Sequence, residues 1–301
     1  MSEQIEDRLQ TIRDIWAEYP ALYLIGGFML GLLFFPLLHR LSTDAVALLE
    51  NLVPEAIGMA VTVFFIDSLY RRREEQREYH ELTQRLIREA GSPDNATCLN
   101  AIREMRARGW ITGDKSLLQN LQLISANLRN ANLYQANLRG AVLTGCDLRE
   151  ANLFQADLTD AKLRKTNMQR LNLRGVRLIR AKMENADLSE TRLAEADLTD
   201  AVVRGAVLHK TYAPYARFTG AYMTGATLTD AFLKGADFTG ADLREVDFTG
   251  AKMEGAVMAE VKCDRKTRLP DGTSWFYGVD WSQFGAVDNA ETLQSAGLER
   301  P

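Results

Sequence analysis

A five-residue pattern repeats without insertion or deletion from Ser116 to Arg265, as in ANLRN at 126–130 and ANLYQ at 131–135. A period of five rotates successive repeats by about 140° on an α-helix and flips them to the opposite face of a β-strand. The backbone must therefore turn a corner in every repeat. The pattern predicts a solenoid.

The composition of each repeat indicates which side chains point inward. We number a repeat around its central residue i, which is Leu128 in the copy ANLRN. Position i is almost always Leu, Met or Phe, position i−2 is mostly Ala, and no charge occurs at either. Because 25% of the chain is charged, about fifteen charges would fall there by chance. Both positions are predicted to be buried, and Gly is frequent at i+2, where a corner needs positive φ.

This repeat resembles the pentapeptide repeat family, whose pattern is Ala-(Asp/Asn)-Leu-X-X, over residues 116–265. The resemblance implies a mainly β fold, a right-handed quadrilateral β-helix with one repeat on each face and four in each coil. About thirty repeats would then form about seven and a half coils.

The segments before the repeat region predict a transmembrane hairpin at residues 21–70. Ala21–Leu38 carries no charge and is long enough to cross a bilayer, and an amphipathic helix at residues 1–20 precedes it. A second span is predicted at Pro54–Tyr70, although its apolar centre is short. Arg71, Arg72 and Arg73 follow it and favour the cytoplasmic side. We therefore expect an inner-membrane protein whose termini and solenoid are cytoplasmic.

Small residues in the two predicted spans allow close helix packing. Gly27 and Gly31 form a GxxxG pair, and Gly58 with Thr62 forms a second small pair. These pairs are interpreted as packing within one hairpin, with oligomerisation through the same residues as the alternative.

Segments on either side of the solenoid are predicted to cap its ends, because an open coil would expose an apolar core and free strand edges. Residues 71–115 are interpreted as a juxtamembrane helix followed by a cap helix near Asn95–Arg108. Residues 266–301 contain the turn sequence LPDGT and then several aromatic residues, and they form the predicted C-terminal cap.

Two departures from the repeat mark candidate interaction surfaces. One is a basic belt, defined as Lys162, Arg164, Lys165, Arg170, Arg174, Arg177, Arg180 and Lys182. Ion pairing between neighbouring coils is the alternative to a docking role for this belt. The other is the repeat around Pro214, where Tyr212 and Tyr215 are expected to face outward and the proline to distort one face.

No pattern in the sequence predicts catalysis, a cofactor or a metal site. The three histidines are far apart, no cysteine pair has metal-ligand spacing, and no phosphate-binding loop or nucleophile elbow occurs. We interpret the chain as a non-enzymatic, membrane-anchored scaffold that binds unknown protein partners, with homo-oligomerisation left open. The alternatives are a DNA mimic that interacts with gyrase and a subunit of a membrane channel or transporter. The mixed charge of the repeat surface argues against DNA mimicry and makes nucleic acid an unexpected partner.

Overall fold

A computed structural model describes residues 43–287 of the 301-residue chain, with side chains from Val61 onward. The chain divides into two compact units, residues 1–82 and 83–301, which are described separately. The predicted first span, Ala21–Leu38, and the amphipathic helix at residues 1–20 lie outside the described residues.

The first described element is α1, Thr43–Ala90, a helix of 48 residues. It begins at Thr43 rather than at Pro54, so the predicted loop between two spans is wrong from residue 43 onward. Within residues 43–287, no helix combines the length and the apolar character needed to cross a membrane. The predicted second span at Pro54–Tyr70 is therefore not supported, because its apolar centre is bounded by Glu55 and by Asp67, which pairs with Arg71 at 2.8 Å.

The solenoid has the predicted four repeats in each coil. Parallel bridges join residues 20 apart, from Gln122↔Val142 to Asp242↔Lys262. Each face contributes one bridging residue per coil, at position i−1, rather than a longer strand. Residues 20 apart lie on the same face, so the quadrilateral β-helix is confirmed.

Positions i and i−2 fill the interior of the coils, as the absence of charge predicted. Leu128, Ala131 and Leu138 have no exposed surface. Identical positions also stack along the axis: the rings of Phe218 and Phe238 lie 4.9 Å apart and nearly parallel. Polar residues at inward positions donate to backbone carbonyls, as Thr166 does to Leu143 at 2.8 Å.

The corner at position i+2 has positive φ in every repeat up to Glu260, whether or not the residue is glycine. Every fifth residue from Asn120 to Glu260 lies in the left-handed region. Lys165 has a φ of 56°, in a region that costs most residues about 1 kcal/mol or more. A ladder bond accompanies this geometry, because the Lys165 amide donates to the Glu184 carbonyl at 3.0 Å. Glycine is therefore favoured at the corner without being required.

Asp and Asn recur at position i−1 because their side chains complete the same corner. The Asp157 carboxylate accepts a bond from the Thr159 amide at 2.9 Å, and Asp237 accepts one from Thr239 at 3.0 Å. The i+1 amide does not enter the ladder between coils, so a short acceptor two residues earlier satisfies it. This bond explains the Ala-(Asp/Asn)-Leu preference.

The N-terminal end of the solenoid is covered by α2, Asn95–Ala107, together with the end of α1. Cys98, Ala101, Ile102 and Met105 on α2 are buried. Two amides of the first coil also find acceptors before the repeats begin: Asn127 donates to the Ser92 carbonyl at 3.2 Å and Asn137 to the Ile111 carbonyl at 2.8 Å. Neither the apolar interior nor these strand edges are left open.

After Lys262 the register slips by one residue, and the solenoid continues for one more repeat. Asp247 bridges to Arg268, which is 21 residues away, while Thr267 and Leu269 take the inward positions. Asp264 stabilises the extra residue, because its carboxylate accepts bonds from the amides of Lys266 at 3.0 Å and Thr267 at 3.1 Å. The strict five-residue pattern ends at Arg265 for this reason.

The C-terminal end of the core is closed by a 3-10 helix, Trp281–Phe284. The Trp281 ring is 4% exposed and meets Phe248 edge to face, with 6.4 Å between the ring centroids. Val287 then bridges to Val257 and extends the ladder past the cap. Tyr277 in the same tail is 94% exposed and plays no part in closing the core.

Replacing the two tail aromatics tests this cap. Trp281→Ala is expected to lower the free energy of unfolding by about 3 kcal/mol or more, since it removes a buried ring and exposes Phe248. Tyr277→Ala is the matched control and should change it by less than about 0.5 kcal/mol. Urea unfolding followed by circular dichroism measures both. Equal effects would show that Trp281 does not close the core.

The carboxylates at the corners predict how stability depends on pH. Hydrogen bonds from Arg149 lower the pKa of Asp147, and those from Arg244 lower the pKa of Asp242. Their contribution is present above the unfolded pKa of about 3.8 and is lost as the pH falls through the lower folded value. The urea midpoint should therefore stay level from pH 7 to about 5 and fall below about pH 4.

An Asp147→Asn variant serves as the control for this pH dependence. It keeps an oxygen for the Arg149 amide but removes the titrating charge, so its midpoint should fall less steeply in acid. A wild-type midpoint that does not change down to about pH 2 would contradict the prediction.

Candidate functional site

The surface of the solenoid divides into four faces, which we number by the columns of bridging residues. Face 1 contains Gln122 and Val142, face 2 Asn127 and Asp147, and face 4 Asn137 and Asp157. The column of face 3 is Asn132, Asn152, Asn172, Arg192, Tyr212, Phe232 and Lys252. Faces 1 and 3 are two repeats apart and therefore lie on opposite sides of a coil.

Half of the basic belt is ion-paired with carboxylates on neighbouring coils. Arg170 pairs with Glu190 at 3.0 Å and Arg174 with Glu195 at 2.8 Å. Arg180 pairs with Asp160 at 2.7 Å, and Arg177 lies 4.0 Å from Asp157. Both partners are solvent-exposed in every pair except Arg177–Asp157, whose carboxylate is partly buried, so the exposed pairs contribute little to stability. They do neutralise much of the field that an acidic partner would meet.

The other four members of the basic belt lie on one side of the solenoid. Lys162 and Lys182 bridge to each other on face 1, and Arg164 and Lys165 form the corner that follows this face. All four are exposed. The belt is thus not a continuous ring of free charge around the coil, because its members on faces 2, 3 and 4 are paired.

Pro214 does not distort the solenoid, contrary to the expectation from the sequence. Tyr212 bridges normally to both Arg192 and Phe232, and the Tyr215 amide donates to the Lys234 carbonyl at 2.8 Å. Pro214 stands at position i+1, whose amide takes no part in the ladder. Tyr212 at i−1 also offers no acceptor for such an amide. A proline therefore costs this repeat no ladder bond.

A groove with a volume of about 780 Å³ lies on face 3 around this repeat. Its lining comes from face 3 and the corner that follows it: Phe154, Asn172, Arg174, Arg192, Ala194, Glu195, Tyr212, Pro214, Tyr215, Phe232 and Lys234. We call these residues the face 3 groove. Position i+1 carries Ala194 and Pro214 on two successive coils, between the longer Arg174 and Lys234. The two short side chains leave the space that forms the groove.

Aromatic side chains line one part of the groove. Tyr212 is 48% exposed and stacks on Phe232, with ring centroids 5.1 Å apart and planes within 9° of parallel. Tyr215 lies over Gly235: a Cβ added to this glycine would come within 2.6 Å of the Tyr215 ring. Both tyrosines that the sequence singled out thus line the same groove, and each is held in place by the next coil.

The charged groups of the groove are unequally neutralised. Glu195 pairs with Arg174 at 2.8 Å, and Lys234 lies 3.8 Å from Glu254. Within residues 61–287, no carboxylate lies within ion-pair distance of the Arg192 guanidinium. The face 3 groove therefore combines exposed aromatic surface with one unpaired cation.

The predicted packing residues of the spans are only partly described. Gly27 and Gly31 lie outside the described residues, whereas Gly58 and Thr62 lie in α1, four residues apart and on one side of the helix. Along the same helix, Val63, Phe65 and Tyr70 are more than half exposed.

The cysteines have the properties of structural rather than reactive residues. Burial raises the pKa of Cys98 and of Cys146 to about 12, so their thiols stay protonated at neutral pH. The Cys146 thiol donates to the Leu123 carbonyl at 2.7 Å. In the part of the chain that the structure describes, no three His, Cys, Asp or Glu side chains are grouped as metal ligands.

The sequence pattern singled out Arg174, Tyr212 and Tyr215 but missed most of the face 3 groove. Phe154, Arg192 and Phe232 fit the five-residue pattern, so no local departure from it points to any of them. A signal was present at longer range, because residues 20 apart share a column, and aligning the sequence in rows of 20 brings Arg192, Tyr212 and Phe232 together.

Comparisons with known proteins agree with this architecture. The model described as pentapeptide repeats matches residues 191–230 and 221–258, and that described as a pentapeptide repeat region matches residues 116–193. The search of curated proteins gave no match.

Several solved structures are similar to this chain. One is QnrB1, a plasmid-mediated fluoroquinolone resistance protein, at 18% identity, covering 60% of this chain and 85% of its own, with a TM-score of 0.33. A pentapeptide repeat protein of the Arabidopsis thaliana thylakoid lumen is 32% identical over 36% of this chain and 68% of its own (TM-score 0.23). HetL of Nostoc sp. strain PCC 7120, involved in heterocyst differentiation regulation, is 23% identical over 58% and 98% (TM-score 0.20).

The family models and the bridges between coils together identify the repeat region. The models match residues 116–258, and over this region the bridges join residues 20 apart. Residues 116–258 are thus a pentapeptide repeat domain.

Proposed function

We propose that this protein is a non-enzymatic interaction scaffold that holds a protein partner against the face 3 groove. The observation that carries the proposal is the exposed Tyr212 ring, which stacks on the half-buried Phe232 beside a concave surface. Most other large apolar side chains of the solenoid are buried in the core. Exposed aromatic rings in a groove are typical anchors of protein interfaces. The coil-to-coil ladder supplies a rigid support for them.

The family supports the coarse form of this proposal, since pentapeptide repeat proteins are generally scaffolds that act through protein interactions. QnrB1 is described as a fluoroquinolone resistance protein, and HetL as involved in heterocyst differentiation regulation. Neither description names a reaction catalysed by the protein.

Two other functions are less well supported. A DNA mimic needs a continuous acidic surface, whereas here the acids alternate with bases that they pair, as in Arg170–Glu190 and Arg180–Asp160. A channel or transporter subunit needs polar groups along a membrane-spanning path. The described residues contain no helix suited to that role.

A photo-crosslinking experiment tests the groove as the binding surface. Benzoylphenylalanine replaces Tyr212 in the full chain, which is expressed in its native cells, irradiated and analysed by mass spectrometry. We expect cross-links to one or a few proteins, because a bound partner would cover the exposed ring.

Tyr222 provides the matched control for this experiment. It occupies the same i−1 position on face 1, on the opposite side of the solenoid, and is 46% exposed against 48% for Tyr212. Cross-links at residue 222 should be absent or unrelated. Equal cross-linking at both positions, or none at residue 212, would reject the groove as the partner site.

We also propose that the scaffold is attached to the inner membrane by Ala21–Leu38, with the solenoid on the cytoplasmic side. The support is the uncharged length of this segment and the basic residues Arg71–Arg73, which favour the cytoplasm. Homo-oligomerisation through the Gly27–Gly31 pair belongs to the same proposal.

Membrane fractionation with alkaline carbonate extraction tests the attachment. The full chain should stay in the membrane pellet, and a deletion of residues 21–38 should move it to the supernatant, because hydrophobic anchoring resists carbonate while electrostatic adsorption does not. Gly31→Arg, which puts a charge into the segment, should have the same effect as the deletion. Release of the unaltered chain by carbonate would contradict the proposal.

A further inference from the structure

We infer that the partner segment bound by the face 3 groove is an extended, acidic peptide with an apolar anchor residue. The anchor side chain contacts Ala194 and the exposed Tyr212 ring, and a carboxylate of the peptide pairs with Arg192. This inference rests on the proposed function and adds the chemistry of the partner.

Backbone hydrogen bonding within the solenoid argues against a partner strand added at Tyr212 and Phe232. The Tyr212 amide donates to the Thr191 carbonyl at 2.8 Å, and the Tyr212 carbonyl accepts from the Leu193 amide at 2.7 Å. The same pattern continues through Phe232. The main-chain groups of Tyr212 and Phe232 are therefore already bonded, and recognition at this part of the face is through side chains.

The dimensions of the groove match a short peptide. Its lining extends from Phe154 to Lys234 in one column, which is four coil steps or about 19 Å at the usual spacing between strands. An extended peptide covers that distance with about six residues. The volume of about 780 Å³ admits several side chains and is large for a single ion.

The charges of the groove favour a partner segment with negative charge. Of the three cations in the lining, Arg174 and Lys234 already have carboxylate neighbours, at 2.8 and 3.8 Å, while Arg192 has none within residues 61–287. A peptide carboxylate could form a bidentate ion pair with the exposed Arg192 guanidinium. A basic peptide would instead leave Arg192 facing a like charge.

A protein segment fits this groove better than single-stranded nucleic acid. Nucleic-acid grooves join a continuous track of cations to open aromatic faces on which bases stack. Here the Glu195 carboxylate stands within the lining, and the Tyr212 and Phe232 rings already stack on each other. One face of each ring is thus occupied by its neighbour.

Peptide selection on the immobilised full chain tests the inference. A display library of random nine-residue peptides is enriched against the protein and sequenced. We expect the enriched peptides to contain Asp or Glu close to an aromatic or aliphatic residue. Their binding should weaken about tenfold on raising the salt concentration from 50 to 500 mM, because an exposed ion pair is screened.

Two charge reversals locate the binding site. Arg192→Glu should weaken the selected acidic peptides by about tenfold or more, because it places a carboxylate opposite theirs. Arg217→Glu is the matched control: it is exposed, occupies the same i−1 position one coil away on face 4, and should leave affinity unchanged. Thermal unfolding of both variants verifies that the solenoid is intact.

The possible results separate the inference from the proposed function. Three results would overturn the inference. These are enrichment of basic peptides, equal effects of the two charge reversals on affinity, and tighter binding of a twelve-nucleotide oligothymidine than of the acidic peptides. If residue 212 still cross-links to a protein in cells, the scaffold function stands while the acidic-peptide chemistry fails. Both the inference and the proposed function would be rejected if residue 212 gave no cross-link and the enriched acidic peptides bound the Arg192→Glu variant as tightly as the unaltered chain.

Discussion

The ladder that joins residues 20 apart is the interaction on which the rest of this structure depends. Each coil contributes one bridge per face. The amides at positions i−1, i and i+2 donate to neighbouring coils, and the carbonyls at i−2, i−1 and i+1 accept these bonds. A single pair of coils gains little from one bridge per face. Many coils in register, with their apolar residues stacked along one axis, give a continuous core that no repeat could form alone.

This ladder also explains the composition of the repeat. It requires positive φ at the corner, and it leaves the i+1 amide without a partner in the neighbouring coils. Asp and Asn at i−1 satisfy that amide, and glycine relieves the corner where it occurs. Surface carboxylates are consequently abundant for a structural reason, and they provide no evidence for catalysis. Pro214 is tolerated because it stands at position i+1, whose amide forms no main-chain bond in the ladder.

The face 3 groove arises from small departures from regularity rather than from an added domain. Two short side chains on successive coils open a depression, and aromatic residues in the adjacent column line it. Because positions 20 apart are neighbours, a change in one repeat alters the surface presented by three coils. A solenoid can in this way acquire a binding surface without disturbing its core, which lies on the other side of the same backbone.

The period of five and the absence of charge at two of its positions were enough to predict the solenoid and its buried positions, and the resemblance to pentapeptide repeats implied four repeats per coil. The sequence by itself also singled out Tyr212, Tyr215 and the basic belt. It did not predict that α1 begins at Thr43 or that the register slips after Lys262, because helix boundaries and a one-residue insertion depend on the contacts that compensate for them.

Only the tertiary structure decided which surface residues meet. It paired Arg170, Arg174 and Arg180 of the basic belt with acids one coil away, and it brought Arg192, Tyr212 and Phe232 into one groove. The physical reason is that a periodic sequence determines the fold through its inward-pointing residues, whose residue types recur every five positions. The neighbours of an outward residue are set by the 20-residue coil, which is a property of the folded solenoid.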